Sequence, residues 1–95
     1  MGYKNRATKK ITEEEKALSR RIAHRLKAER EARGLTQVQL SELIGNGCDG
    51  DDIYYLEGCA LRKNLWLIYN ICKAFDISMD ALLSDDEYYV KMRVE

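Results

Sequence analysis

Proline is absent from the 95 residues. Nothing in the chain therefore forces a kink or removes a backbone donor from a helix. Histidine occurs once, at His24, which leaves no His-based ligand set or nucleophile–base pair. The three cysteines, Cys48, Cys59 and Cys72, are odd in number and lack CxxC spacing, so neither a disulfide framework nor a zinc module is expected. They read as small hydrophobes in a reducing compartment. No apolar run approaches the length of a membrane span, and the N-terminus carries no signal-type apolar region. The expectations are a soluble cytoplasmic protein without a membrane partner, without a cofactor or metal, and without enzymatic activity.

Net charge is also absent, since 16 Lys/Arg balance 16 Asp/Glu. The two signs are nevertheless segregated. Residues 1–33 hold eleven Lys/Arg against five Asp/Glu, a net of +6, and residues 34–95 hold five against eleven, a net of −6. A dedicated polyanion binder shows a basic footprint, and this chain has one only in its first third. Residues 1–10, with Lys4, Arg6, Lys9 and Lys10 and no acid, are too polar to fold alone. Residues 1–11 therefore read as a basic flexible arm, 12–84 as the folded domain and 85–95 as an extension.

What is present is helical punctuation. Thr12 with Glu13, Glu14 and Glu15 forms a capping box with acids at the positive end of the helix dipole. The first helix is predicted to run to about Arg33, where Gly34 stops it. Leu18, Ile22 and Leu26 form its apolar seam. Arg20, Arg21, Arg25, Lys27, Arg30 and Arg33 crowd the remaining surface, as a solvated face or a phosphate-facing ridge. Thr36 and Gln39 open a second helix containing Val38, Leu40, Leu43 and Ile44, with Gly45 at its end.

The stretch Asn46–Asp52 reads as a turn, with Asp49 or Asp51 capping a third helix. Its spacing does not fit a calcium loop. The third helix is predicted from Asp52 to about Gly58, with Ile53 and Leu56 inward. Asn64 caps a fourth from Leu65 to Phe75, with Leu65, Ile68, Ile71, Cys72 and Phe75 as core stripe and Trp66 and Tyr69 off it. Ser78 caps a last short helix, Met79 to Leu83. Beyond it, Tyr88, Val90, Met92 and Val94 alternate with polar residues, a strand pattern that a second copy of the chain would pair.

Leu26, Arg30, Gly34-Leu35-Thr36-Gln37, Leu40, Gly45, Ile53, Glu57, Leu65, Ile71, Phe75 and Leu82-Leu83 follow one another at spacings that resemble the Xre/Cro-type, lambda-repressor-like helix-turn-helix family. The resemblance covers about Ile22 to Leu83. It implies an all-α, five-helix lambda-repressor-like bundle, to which the chain's own patterning adds an extended first helix and a C-terminal β-strand. It also implies an ion pair between Arg30 and Glu57, and a DNA-binding transcriptional regulator that reads the major groove with helix three. The positions implied to meet double-stranded DNA are Thr36, Gln37, Gly50, Asp51, Tyr54, Tyr55, Arg62 and Lys63. Gln37 would direct its backbone N–H and side chain at a phosphate.

The sequence departs from the family pattern in three places. The turn before Ile53 is two residues longer than usual. Asp49, Asp51 and Asp52 stand where amides or basic residues are commoner. Cys59 replaces an expected glycine, and Glu29 a usually apolar residue. The alternative reading is a helix-turn-helix module used for protein–protein contact. A homodimer is expected in either case, with Trp66, Tyr69, Tyr88, Val90 and Met92 as interface residues.

Overall fold

The computed structural model describes residues 11–58 and 63–84. Five helices follow in order: α1 Glu13–Ala32, α2 Gln37–Ile44, α3 Gly50–Glu57, α4 Leu65–Phe75 and α5 Met79–Leu83. Among the described residues there is no strand. The predicted strand with Tyr88, Val90 and Met92, and the N-terminal arm up to Lys10, lie outside them. No helix of the described residues is long and apolar enough to cross a membrane.

Each helix begins on a side-chain cap. Thr12–Glu15, Thr36–Gln39 and Asp49–Asp52 are reciprocal capping boxes, and Asn64 and Ser78 cap α4 and α5. These satisfy amides that a helix's first turn otherwise leaves unpaired. The exit of α1 is a Schellman motif: Gly34 stands at φ 69°, its N–H bonds Glu31 O, and Leu35 N–H bonds Arg30 O. The same closure ends α4 without a glycine. Asp76 adopts φ 57° there, and Ile77 N–H returns to Cys72 O at 2.8 Å. Aspartate tolerates the left-handed region better than most residues.

The long turn between α2 and α3 contains three consecutive left-handed residues, Gly45, Asn46 and Gly47. Two glycines and an asparagine are the side chains that adopt this backbone most readily. The run takes up the added length, and α3 begins at Gly50, two residues earlier than predicted. Residues 50–52 are thus the first turn of the helix rather than loop.

Helix α1 packs on α3 and α5, and α2 packs on α3 and α4. The buried cluster consists of Ile22, Leu26, Leu40, Ile53, Leu56, Leu67, Ile68, Ile71, Cys72, Phe75 and Leu82, with Leu18 and Ile44 packed against it. Two expectations are corrected here. Leu65, predicted in the core stripe, is 68% exposed, and Leu67 is buried in its place. The other four residues of the stripe are buried as predicted; packing against α2, not the first apolar residue, sets the inward direction of α4. Arg25, predicted on the surface of α1, is buried, and Arg30 is buried as its implied pairing with Glu57 requires.

Candidate functional site

The α2–α3 pair hangs on one polar network. Arg30 donates through Nε to Glu57 Oε2 at 2.7 Å and through Nη2 to Oε1 at 3.0 Å. Its Nη1 donates to the Leu35 carbonyl at 2.7 Å. Side-chain exposure is 10% for Arg30 and 4% for Glu57, so the pair is buried. The hydrogen bonds to Glu57 hold the Arg30 guanidinium pKa above its ordinary value, against the opposing effect of burial. Three elements meet at these two side chains: the end of α1, the linker into α2 and the end of α3. The ion pair implied by the resemblance is thus formed.

Gln37 joins the network. Its Nε2 donates to Glu57 Oε1 at 3.1 Å. The side chain is therefore turned inward rather than toward a phosphate. The backbone N–H groups of Gln37 and Val38, in the first turn of α2, have no acceptor within the helix. Thr36 is exposed, but its hydroxyl accepts from Gln39 N–H at 3.0 Å.

On α3 the acids divide into two roles. Asp49 Oδ1 accepts from Asp52 N–H at 3.1 Å, and Asp52 Oδ2 accepts from Asp49 N–H at 3.0 Å. Both carboxylates turn back on the helix. Asp51 is exposed and takes no part in this box. Tyr54 and Tyr55 are 56% and 53% exposed, and their rings meet edge to face at 5.4 Å. Gly50 lies close to α2: a Cβ there would stand 3.1 Å from Val38 Cγ2. The exposed face of α3 therefore carries one outward acid and two tyrosines. An Asp49→Ala variant is expected to lose about 0.5–2 kcal/mol of stability with the cap, read as a shift in the urea midpoint. Asp51→Asn should cost clearly less.

The basic residues of α1 are mostly engaged with the fold. Arg25 Nη1 donates to the carbonyls of Ala81, Leu82 and Ser84 at 3.3, 2.7 and 2.6 Å. Arg21 Nη2 donates to Leu83 O at 3.2 Å. Arg33 donates to Glu29 Oε1 at 2.8 Å and to Phe75 O at 3.1 Å, and its guanidinium lies 4.1 Å from the centre of the Phe75 ring. Cations placed on the last carbonyls of α4 and α5 complement the negative ends of those helices. Of the six cations read as a solvated face or a phosphate-facing ridge, Arg20, Lys27 and Arg33 are exposed, and Arg33 is already engaged by Glu29 and Phe75.

These capping arginines were missed from the sequence, although a signal existed. Arg25 and Glu29 fall three and seven residues after Ile22, on the buried side of α1. Lys63, expected at a DNA backbone, donates to Leu56 O at 2.8 Å and so closes the end of α3. Arg62 lies outside the described residues.

A second surface lies on α4. Trp66 and Tyr69 are exposed, as expected, and their rings stack at 6.0 Å. Lys73 Nζ lies 5.9 Å from the centre of the Tyr69 ring. Trp66 also lines a depression with Gly45, Asn46, Cys48, Asp52 and Leu67, so the aromatic pair adjoins the left-handed turn. Burial, and then the nearby Asp52 and Asp49 charges, push the Cys48 thiol pKa up. Burial, and then Glu29, do the same to Cys72. Both thiols are free, and the upward direction disfavours the nucleophilic thiolate. Among the described residues no three His, Cys, Asp or Glu side chains converge as a metal site would require.

No family model, curated protein or solved structure matches the chain.

Proposed function

We propose that this protein is a DNA-binding transcriptional regulator of the Xre/Cro type, a lambda-repressor-like bundle that presents α3 to the major groove and acts as a homodimer. The observation that carries this reading is the buried Arg30–Glu57–Gln37 network. It ties the end of α3 to α1 and to the start of α2, and Tyr54 and Tyr55 are exposed at the positions that the resemblance assigns to the groove. Tyrosine hydroxyls donate to phosphates and base edges. The two free amides at the start of α2 would receive a phosphate oxygen. With Arg21, Arg25, Arg33 and Lys63 engaged in the fold, few cations remain for backbone contact, so affinity would be modest and its salt dependence shallow.

Fluorescence titration of a labelled random duplex with the full chain tests the proposal. Binding is expected at low salt. Log affinity should fall with log salt at a slope of about 0.9 per phosphate neutralised. Tyr54→Ala should weaken binding, and Asp51→Asn should strengthen it by removing an outward charge. An absence of binding even at the lowest salt would exclude DNA readout.

A protein–protein role is the second reading. It is favoured by the exposed Trp66–Tyr69 stack and by the acidic tip of α3, which suits a basic partner better than phosphate. In that case duplex binding is absent, and Trp66→Ala disrupts assembly in sedimentation velocity.

A further inference from the structure

We propose that Arg20, Arg21 and His24 on α1 form a binding site for the phosphate group of a small phosphorylated solute, set beside the end of α5. The three side chains line a shallow pocket of about 410 Å³ with Ala17 and Arg25. These positions recur at three- and four-residue intervals, so they form one stripe along the helix. Arg20 and His24 are exposed, Arg21 is half-buried and Arg25 is buried. Ala17 contributes only a methyl group, which leaves room over the stripe.

Two observations point to an anionic ligand. Arg21 Nε is buried and has no hydrogen-bond acceptor. A guanidinium N–H withdrawn from water and left unpaired is costly, and an anionic oxygen is its strongest complement. The charge of the stripe is also uncompensated: among the described residues no carboxylate pairs with Arg20, Arg21 or His24. The size and chemistry of the pocket then select the ligand. From Arg20 to His24 the helix rises about 6 Å, the span of one phosphate group rather than of a nucleic-acid strand. Among the described residues that line the pocket there is no Phe, Tyr or Trp and no large aliphatic side chain. Stacked bases therefore have no platform there, and a lipid chain has no seat.

The site is coupled to the end of the domain. Arg21 Nη2 already holds the Leu83 carbonyl, and neighbouring Arg25 holds those of Ala81, Leu82 and Ser84. A phosphate on Arg21 Nε therefore braces the contact of α1 with α5, and the ligand acts as an effector of that contact. None of this depends on whether α3 reads DNA.

The test titrates the full chain, in a phosphate-free buffer, with inorganic phosphate at constant ionic strength set by sodium chloride. NMR of the arginine side-chain Nε–H groups and the His24 ring gives the readout. The Arg21 Nε–H signal should move to saturation and exchange with water several-fold more slowly, and the His24 signals should follow the same curve. The Leu82 amide should gain exchange protection, while the amides of α2 and α3 stay in place. Arg20→Gln combined with His24→Gln changes exposed positions only, so the backbone spectrum should be kept. The half-saturating phosphate concentration should then rise about tenfold or more, with the loss of at least one charge-assisted hydrogen bond. A duplex bound through α3, or vesicles of phosphatidylglycerol, should leave the Arg21 and His24 signals unmoved. Absence of a saturating response to phosphate, shifts that chloride alone reproduces, or a half-saturation unchanged in the double variant would each overturn the site. A stronger response to duplex or vesicles than to inorganic phosphate would overturn its assignment to a small solute.

Discussion

Glu57→Ala is expected to lower the unfolding free energy by about 3–5 kcal/mol, the usual cost of stranding one member of a buried ion pair. A small domain has roughly 0.05–0.15 kcal/mol of stability per residue, so the loss is a large fraction of the total. Three N–H donors lose their acceptor together: Arg30 Nε, Arg30 Nη2 and Gln37 Nε2. Arg30 is left charged with one remaining bond, to the Leu35 carbonyl, and Gln37 Nε2 is left unpaired. Because all three lie between helices, the variant should lose α2–α3 geometry before helix content. Near-ultraviolet dichroism of the tyrosines would then decay at lower urea than the far-ultraviolet signal. Arg30→Met with Glu57→Leu should destabilise less than the sum of the single changes, since apolar replacement removes both charges. A midpoint shift equivalent to under about 1 kcal/mol for Glu57→Ala would mean that the pair behaves as a solvated surface bridge. The network would then not be what orients α3.

Arg25→Met is the second large effect, at roughly 2–3 kcal/mol. Hydrogen bonds to a charged group contribute about 1.5–3 kcal/mol, and here a single cation serves three carbonyls at the end of α5. Methionine retains much of the apolar stem, so the loss reports the guanidinium rather than packing. Lysine should recover only part, because a point charge does not reproduce the guanidinium's planar fork. Helix α5 has five residues, too few to persist without tertiary support. Its amides, including that of buried Leu82, should therefore lose exchange protection before those of α4. Arg20→Gln, at an exposed position on the same helix, is the control and should leave the midpoint nearly unchanged. If Arg25→Met matches that control, water replaces the guanidinium at the α5 terminus and the arginine is not its cap.

The two effects differ in how readable they were. Arg30 and Glu57 were paired in advance through the family resemblance, from the spacing of Arg30, Gly34-Leu35-Thr36-Gln37 and Glu57. Composition and periodicity would not have paired them. Arg25 was assigned to a charged surface, because a helix with so many cations reads as solvated. Its burial depends on α5 returning to α1 across 56 residues of sequence. The acids of Asn46–Asp52 were half-read. The cap was left between Asp49 and Asp51, of which Asp49 is the one used, and the returning Asp52 was counted with the outward charge. Only the backbone path through Gly45, Asn46 and Gly47 determines where α3 begins, and hence which carboxylate reaches which amide.

What the sequence determined by itself is the local grammar. Thr12 with Glu15, Thr36 with Gln39, Asn64 and Ser78 place four helix starts, because each cap bonds an amide three residues away. Gly34 ends α1 because a side chain at its φ is strained. These interactions close within one turn and need no knowledge of the rest of the chain. The tertiary structure alone decided the destinations of long side chains and the rotation of each helix. Arg21, Arg25 and Arg33 reach carbonyls 42–62 residues away, and Leu67 rather than Leu65 faces the core. Gln37 turns to Glu57 across 20 residues. An arginine stem is long enough to face water or a distant helix end. Which it faces depends on where an unsatisfied carbonyl lies, and that position exists only after the helices have packed.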